Sequence, residues 1–387
     1  MWRSVAANGM SFLILALIAL AGAIAWGQRE FRAQGPLTDA VFFEVPRGAS
    51  LRRVSEDLEA AGIVTSAMLF RLGADYAEMS GALRFGNYEI PPGASMEQVL
   101  AIVTTGGPSS FRYTATYVLR LEGTGELRLR ERVPGTDEVV ALADFAYEDG
   151  VPEVYSALVA DGTPIAYRVS VPEGLTSWQI VEGLRAADFL SGEIAEVPPE
   201  GVLAPDTFEV RRGQDRQEII DKMLATQQDI LVAAWAGRQD GLPLADAQEA
   251  LILASIIEKE TSVAEERRLV SSVFINRLNQ GIRLQTDPTV IYGITEGRGV
   301  LGRGIRASEL RAETPWNTYV IDGLPPTPIA NPGRAAIEAA VNPEDTPLIF
   351  FVADGTGGHA FAETLEEHNR NVARWRQIEA EREAAGQ

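Results

Sequence analysis

The chain has 387 residues, 46% hydrophobic and 23% charged, with 54 acidic against 34 basic side chains and a net charge of −20. Length and balance suit a globular protein of two or three modest domains, and a surface this acidic excludes a nucleic-acid binder that works through phosphate contacts. With no cysteine and only two histidines, His359 and His368, disulfides, thiolate chemistry and a His-rich zinc site are excluded; carboxylate chemistry remains, and no metal or other cofactor is expected.

Residues 4–28 carry no charge, and Met10 to Gly27 is almost wholly apolar. About 20 apolar residues cross a bilayer as a helix, so residues 10–27 are predicted to form a transmembrane helix behind a short tail, residues 1–9. Ala21, Ala23 and Ala25 would also suit a cleaved signal peptide, but the run exceeds the ~7–15 residues of a usual signal core. Arg3 with the terminal amine faces Arg29 and Arg32 across the span, so charge alone leaves the orientation open. No later run is long enough to span, which puts everything after residue 30 on one side.

A strand–turn–helix pattern then recurs four times, at Val45-Pro46-Arg47-Gly48, Ile90-Pro91-Pro92-Gly93, Val171-Pro172-Glu173-Gly174 and Val210-Arg211-Arg212-Gly213. Each glycine turn is followed by a polar helix cap, namely Ser50, Ser95, Thr176 or Asp215, and the last three have Gln98, Gln179 or Glu218 in the capping-box position. The first two copies bracket a small α+β module, residues 38–106, with helices over 51–61 and 66–77. Residues 107–165 differ: 114–120 and 126–132 alternate around Gly123-Thr124-Gly125, the mark of a hairpin, and the segment is expected to be a β-rich insert. Residues 166–225 form a second strand–turn–helix module. From about Ile219 the pattern turns helical, with helices over 218–235, from Asp246 through Glu260, and over 265–278, and residues 226–375 make up the last domain. The fold class is therefore α+β, with an N-terminal transmembrane helix, a small α+β subdomain, a β-rich insert and a mixed α+β catalytic domain.

Glu258 ends a helical run, Ala250 to Ile257, that is apolar except for Ser255. At helical spacing Ala254 and Leu251 share its face, whereas Glu260 and Lys259 point elsewhere and are expected to reach water. A carboxyl among apolar neighbours resists ionisation, which is what a general acid near neutral pH needs. A Glu at a helix end is also commonly a solvated terminus, so spacing alone leaves both readings open. Downstream, Gln285-Thr286-Asp287, Tyr292, Asn317-Thr318-Tyr319 and the loop from Gly323 to Gly333 bring together amides, hydroxyls and flat rings, groups that suit a sugar groove. His359 sits in Gly357-Gly358-His359-Ala360-Phe361, where a lone histidine serves either a loop or a ligand.

These segments resemble a known family. LASIIEKET, VFINRLNQGIRLQTDPTVIYG, NTYVIDGLPPTPIANPG and FFVADGTGGHAF with EEHN are similar, in order and spacing, to the endolytic murein transglycosylase (YceG-like) family. The resemblance is close from Leu253 to Asn369 and looser upstream, through Pro199-Glu200-Gly201 and Pro205-Asp206-Thr207-Phe208. It implies a single-pass protein of the bacterial inner membrane with residues 1–9 as a cytoplasmic tail and its bulk in the periplasm, and a LysM-like character for residues 38–106. It implies that Glu258 is catalytic; the groove chemistry read above then makes Gln285, Thr286, Asp287, Tyr292, Asn317, Tyr319 and His359 the expected substrate-binding residues. The substrate would be peptidoglycan glycan strands, cut internally between N-acetylmuramic acid and N-acetylglucosamine to leave 1,6-anhydro ends, with penicillin-binding synthases as partners. Two departures stand out: Trp316 precedes Asn317 where the family tends to have Tyr, and the 107–165 insert is longer than expected. Alternative functions are a hydrolase using a second carboxylate, for which Asp287 is the candidate, and a non-catalytic wall-binding scaffold.

Overall fold

The computed structural model describes residues 2–105 and 110–385 of the chain. Met1, which opens the expected cytoplasmic tail, and Gly106 and Gly107, at the expected border between module and insert, lie outside the described residues. The fold is α+β, and the chain divides into two compact units. One comprises Met1–Ala115, Leu129–Ala143 and Pro152–Ala166; the other comprises Thr116–Arg128, Asp144–Val151 and Tyr167–Gln387.

The first unit begins with α1 (Trp2–Arg32), in which Met10–Arg32 is long and apolar enough to cross a membrane. It is the only such helix among the described residues. There follow β1 (Val41–Val45), α2 (Leu51–Ala60), α3 (Ala67–Tyr76), β2 (Gly86–Ile90) and α4 (Met96–Thr104). The two strands pair antiparallel, Val41 opposite Ile90 and Val45 opposite Gly86. Val54, Leu58, Phe70, Ile90, Val99 and Val103, all fully buried, form the core between strands and helices.

A five-stranded sheet has the order β5-β4-β3-β6-β7, from β3 (Tyr113–Leu119), β4 (Gly125–Arg132), β5 (Val139–Phe145), β6 (Ile165–Ser170) and β7 (Thr207–Val210). The segment expected as an insert thus supplies three of these strands, and its hairpin forms around Gly123-Thr124. α5 (Glu153–Ala160) precedes β6. β6 pairs antiparallel with β7, Tyr167 opposite Val210. α6 (Ser177–Ala186) lies close to β3, because a Cβ at Gly183 would come within 2.7 Å of the Leu119 side chain and 2.8 Å of the Thr124 carbonyl.

The recurring glycine turns have one cause. Gly48, Gly93, Gly174 and Gly213 all take positive φ, between 67° and 81°, a conformation that side chains with a Cβ resist. Each turn delivers a cap: Ser50 accepts from the Arg53 N–H, and Ser95–Gln98 and Thr176–Gln179 close full capping boxes. Asp215 differs, its carboxylate accepting from the Gln217 N–H, so Glu218 is not drawn back to the cap.

The rest of the second unit is helical. α7 (Arg216–Ala236), α8 (Ala247–Glu260), α9 (Arg267–Gln280), α10 (Asp287–Thr295) and α11 (Arg334–Val341) are followed by β8 (Phe350–Ala353), β9 (His359–Ala362) and α12 (Leu365–Ala385). β8 and β9 pair antiparallel, Ala353 opposite His359. Every residue of α8 from Ala250 to Ile257 is buried, packed with Val270 and Phe274 of α9 and Ile337, Ala340 and Val341 of α11. A helix hydrophobic all round is a core helix, and its last turn is therefore a place where carboxylates are carried out of water.

Candidate active site

The single polar residue inside the apolar run of α8 is the first clue to the site. The Ser255 hydroxyl donates to the Ile252 carbonyl at 2.7 Å and accepts from the Ile329 N–H at 3.0 Å. It fixes the start of the loop 329–333 on α8. One turn later the Gly333 N–H donates to Glu258 Oε2 at 2.9 Å. The loop thus lies along the end of the helix, tied at two residues three apart, which share a helix face.

Asn331 locks that loop from its other side. Its N–H and Nδ2 both donate to the Leu175 carbonyl, Nδ2 also donates to Ser177 Oγ, Oδ1 accepts from the Leu203 N–H, and its carbonyl accepts from the Gly174 N–H. The side chain is wholly buried. One amide therefore joins the third glycine turn, the segment after Glu200 and the loop beside Glu258. Two glycines line this spot: a Cβ at Gly333 would meet the Glu173 carboxyl, and Gly174, held at a φ of 77°, would bring a Cβ into ordinary contact with Glu258 Cγ.

Burial pushes the Glu258 carboxyl above the ordinary carboxylate range. The Gly333 N–H opposes the rise, the Glu173 carboxylate adds to it, and Arg267 and Lys259 draw it back. Arg267 is itself 3.8 Å from Glu173, and Lys259 Nζ donates to the Gly174 carbonyl at 3.2 Å. The result is a half-buried carboxyl held by one backbone donor and set between one anion and two cations.

Lys259 is exposed, as its position on the helix suggested, whereas Glu260 reaches water only in part. The residue is only half-buried, but its carboxyl accepts from the Thr286 hydroxyl, and burial raises its pKa, against the pull of that hydrogen bond. The reason lies in residues 284–287, which fold over the helix end: Gln285 takes a positive φ of 50°, its N–H donates to the Thr318 carbonyl, and Thr286 is turned inward.

The predicted substrate residues separate into distinct groups. Thr286, Asp287, Tyr319 and His359 gather about Glu260. The Tyr319 hydroxyl donates to Asp287 Oδ1 at 2.6 Å, and burial raises the Tyr319 pKa. His359 Nδ1 pairs with Glu266 Oε2 at 2.7 Å, while Glu266 Oε1 accepts from the His359 N–H. A concavity here is lined by Glu260, Thr261, Ser262, His359, Trp375 and Arg382. Gln285 is exposed beside this group. Asn317 is 1% exposed; its Nδ2 is spent on the carbonyls of Glu309, Leu310 and Ala312, and its Oδ1 accepts from the Tyr319 N–H. It shapes the loop that presents Tyr319.

Tyr292 belongs to a third group. Its ring lies 5.6 Å from that of Trp316, whose Nε1 donates to Thr327. Beside it sits Glu200, which sequence reasoning passed over. Its Oε2 accepts from the Ser177 N–H at 2.9 Å. Burial lifts its pKa to about 7, opposed by the Ser177 N–H and hydroxyl. Glu200 in turn helps to raise Tyr292, which burial has pushed up to about 12. A Cβ at Gly297 would stand 3.0 Å from both Glu200 Oε1 and the Tyr292 ring, so the glycine caps the pair. The only local signal for Glu200 was its place in Pro199-Glu200-Gly201; its burial depends on Ser177, 23 positions away.

Comparison with known proteins shows the family. A profile of the YceG-like family matches residues 43–131 and 144–374. The endolytic murein transglycosylase of Streptococcus pneumoniae strain D39 is 30% identical over 336 residues, covering 85% of this chain and 57% of that protein. The chain therefore spans little more than half the length of that relative. The endolytic murein transglycosylase of Bacillus subtilis strain 168 is 27% identical over 332 residues, covering 85% of this chain and 83% of the relative. A crystal structure of a YceG-like protein from Listeria monocytogenes aligns at 25% identity with a TM-score of 0.42, over 86% of this chain and 99% of that one. Since the profile match takes in most of the chain, from the first strand to the last helix, this protein belongs to the YceG-like family.

Proposed function

We propose that the chain is an endolytic lytic transglycosylase acting on peptidoglycan strands, with Glu258 as its general acid. The observation that carries this reading is the Glu258 carboxyl itself, kept from ready ionisation by burial and held in one orientation by the Gly333 N–H. A carboxylic acid in that state holds its proton until a leaving group takes it.

The reaction would run as follows. Glu258 gives its proton to the oxygen linking N-acetylmuramic acid to N-acetylglucosamine, and that bond breaks. The C6 hydroxyl of the same muramic acid forms a bond to its own anomeric carbon and passes its proton to the Glu258 carboxylate. The acid is regenerated, no water is consumed, and the new end is a 1,6-anhydro sugar. Arg267 and Lys259 would steady the carboxylate between the two steps. Tyr292, Trp316 and Glu200 would offer a ring face and a hydrogen-bonding carboxyl to a neighbouring sugar. Asp287, Tyr319 and His359, with Gln285 at the edge, would bind further along the strand, while the predicted binder Thr286, buried and bonded to Glu260, would position that carboxyl instead.

The single N-terminal apolar helix is consistent with inner-membrane anchoring and a periplasmic bulk, the topology of the family. In this reading residues 1–9 are a cytoplasmic tail, 10–27 the transmembrane segment, 38–106 a LysM-like glycan-binding subdomain, 107–165 a β-rich insert, 166–225 a second module and 226–375 the catalytic domain. Cutting nascent strands would place the enzyme beside penicillin-binding synthases, whose product it would shorten.

A hydrolase is the second reading, because half-buried Glu200 joins Asp287 as a candidate second carboxyl and inverting or retaining hydrolysis needs two. Mass spectrometry of digested, purified glycan separates the readings. Anhydro ends are expected; reducing ends would make the enzyme a hydrolase.

A further inference from the structure

The amphipathic pattern of α3 leaves a face unaccounted for by its own module. Ala67, Phe70 and Ala74 enter the core. On the opposite side Met68, Leu72 and Tyr76, spaced by four, form a stripe that is 64%, 53% and 79% exposed. Between these faces, at Leu69 and Gly73, α3 meets α1. Leu69 Cδ2 lies 3.8 Å from where a Gly27 Cβ would stand, and the Phe31 ring occupies the space over Gly73.

Those two contacts mark a height. An apolar helix crosses the hydrocarbon in about 20 residues, so a span beginning near Met10 ends near residue 29, between Gly27 and Phe31. Trp26, itself largely exposed, stands where interfacial aromatic rings anchor. The module does not swing free of this exit. The Gly35 N–H donates to the Gly93 carbonyl at 3.1 Å, the Gly93 N–H donates to the Leu37 carbonyl at 2.9 Å, and Arg32 pairs with Glu97 at 3.2 Å. Phe31 packs against the module core. The exposed stripe of α3 is thus continuous around that helix with its α1-facing side, and α1's own outer surface is apolar.

We propose that the stripe Met68–Leu72–Tyr76, with Trp26, is seated in the headgroup–acyl boundary of the leaflet from which α1 emerges, so that the 38–106 module is held on the membrane surface as a rigid extension of the anchor. The occupant of this apolar face is lipid. The inference rests on α1 crossing a bilayer, and it adds a second, peripheral membrane contact to that anchor.

The chain has no cysteine, so single nitroxide labels report without background. The full-length protein is placed one copy per lipid nanodisc with a label at Met68→Cys or Leu72→Cys. Leu17→Cys in the span and Arg52→Cys on α2 serve as references, and collision with oxygen is compared with collision with a water-soluble nickel chelate. The proposal expects the oxygen-to-nickel ratio at 68 and 72 to exceed that at 52 by roughly threefold or more, as for an interfacial helix. A ratio at 68 and 72 equal to that at 52, with 17 deep in lipid, overturns it. An aqueous ratio at 17 would instead remove the membrane span and the proposal with it. Spin–spin broadening at 72 in crowded liposomes, without lipid contact in nanodiscs, would assign the stripe to a second copy and overturn it as well.

Discussion

The Gly333 N–H donates to Glu258 Oε2 at 2.9 Å across 75 positions of sequence, and this bond ties the candidate acid to the loop that Asn331 fixes. Anything that loosens the loop should therefore change the acid without touching it. Asn331→Ala removes three side-chain hydrogen bonds from a fully buried position. Buried partners left unpaired cost ~1–3 kcal/mol each, so a loss of about 3 kcal/mol in denaturant unfolding is expected, with glycan cleavage falling further than the folded fraction. Unchanged stability would mean that the loop holds itself.

The groups around Glu258 make opposite predictions for the pH profile. A general acid fails as pH rises through its pKa. Glu173 raises the Glu258 pKa and Arg267 lowers it. Glu173→Gln should thus move the alkaline limb of activity to lower pH, and Arg267→Met should move it to higher pH. Initial rates on purified glycan from pH 5 to 9, with folding checked by circular dichroism, test the pair. Shifts in the same direction would remove Glu258 as the titrating group.

Glu200 predicts a pH dependence of stability. Its folded pKa, about 7, lies above the ordinary 4.5, so the folded state disfavours its ionised form. Below about pH 4.5 both folded and unfolded chains hold the proton and nothing is lost. As pH rises from about 4.5 to 7 the unfolded chain ionises first, and stability declines by at most about 3 kcal/mol, fully lost above pH 7. Glu200→Gln keeps an oxygen for the Ser177 N–H and carries no charge. Thermal melts should show the variant gaining on the wild type between pH 5 and 8; parallel melting curves over that range would contradict the buried carboxyl.

Much of the helical framework is legible in the sequence because its signals are local. The glycine turns and the Ser95 and Thr176 capping boxes each lie within a few residues, and the all-apolar run of α8 announces a core helix. The environment of Glu258 is not legible, since Gly333 and Arg267 reach it only through tertiary packing. Glu260 is the instructive case. Helical geometry pointed it away from Glu258, but how far that direction meets water depended on Gln285 adopting a left-handed conformation and turning Thr286 inward, which leaves Glu260 half-buried. Asn317 likewise looks like a ligand in the sequence, whereas three carbonyls from its own loop use its amide.

Two carboxyls now stand two positions apart at the end of α8, both raised by burial, and substitution should separate them. Glu260→Gln retains an acceptor for Thr286 and should lower cleavage through poorer substrate binding, seen as a raised KM with most of kcat kept. A collapse of kcat with unchanged KM would transfer the acid role to Glu260.

The most direct measurement is the cleavage rate of Glu258→Gln on purified, uncrosslinked glycan strands, read as 1,6-anhydro ends by mass spectrometry. The amide preserves an acceptor for the Gly333 N–H but has no proton to donate, so a loss of about 10²–10⁴-fold in rate is expected, the usual share of a general acid, with folding intact. Wild-type turnover by that variant would contradict the assignment of the proton donor and with it the mechanism.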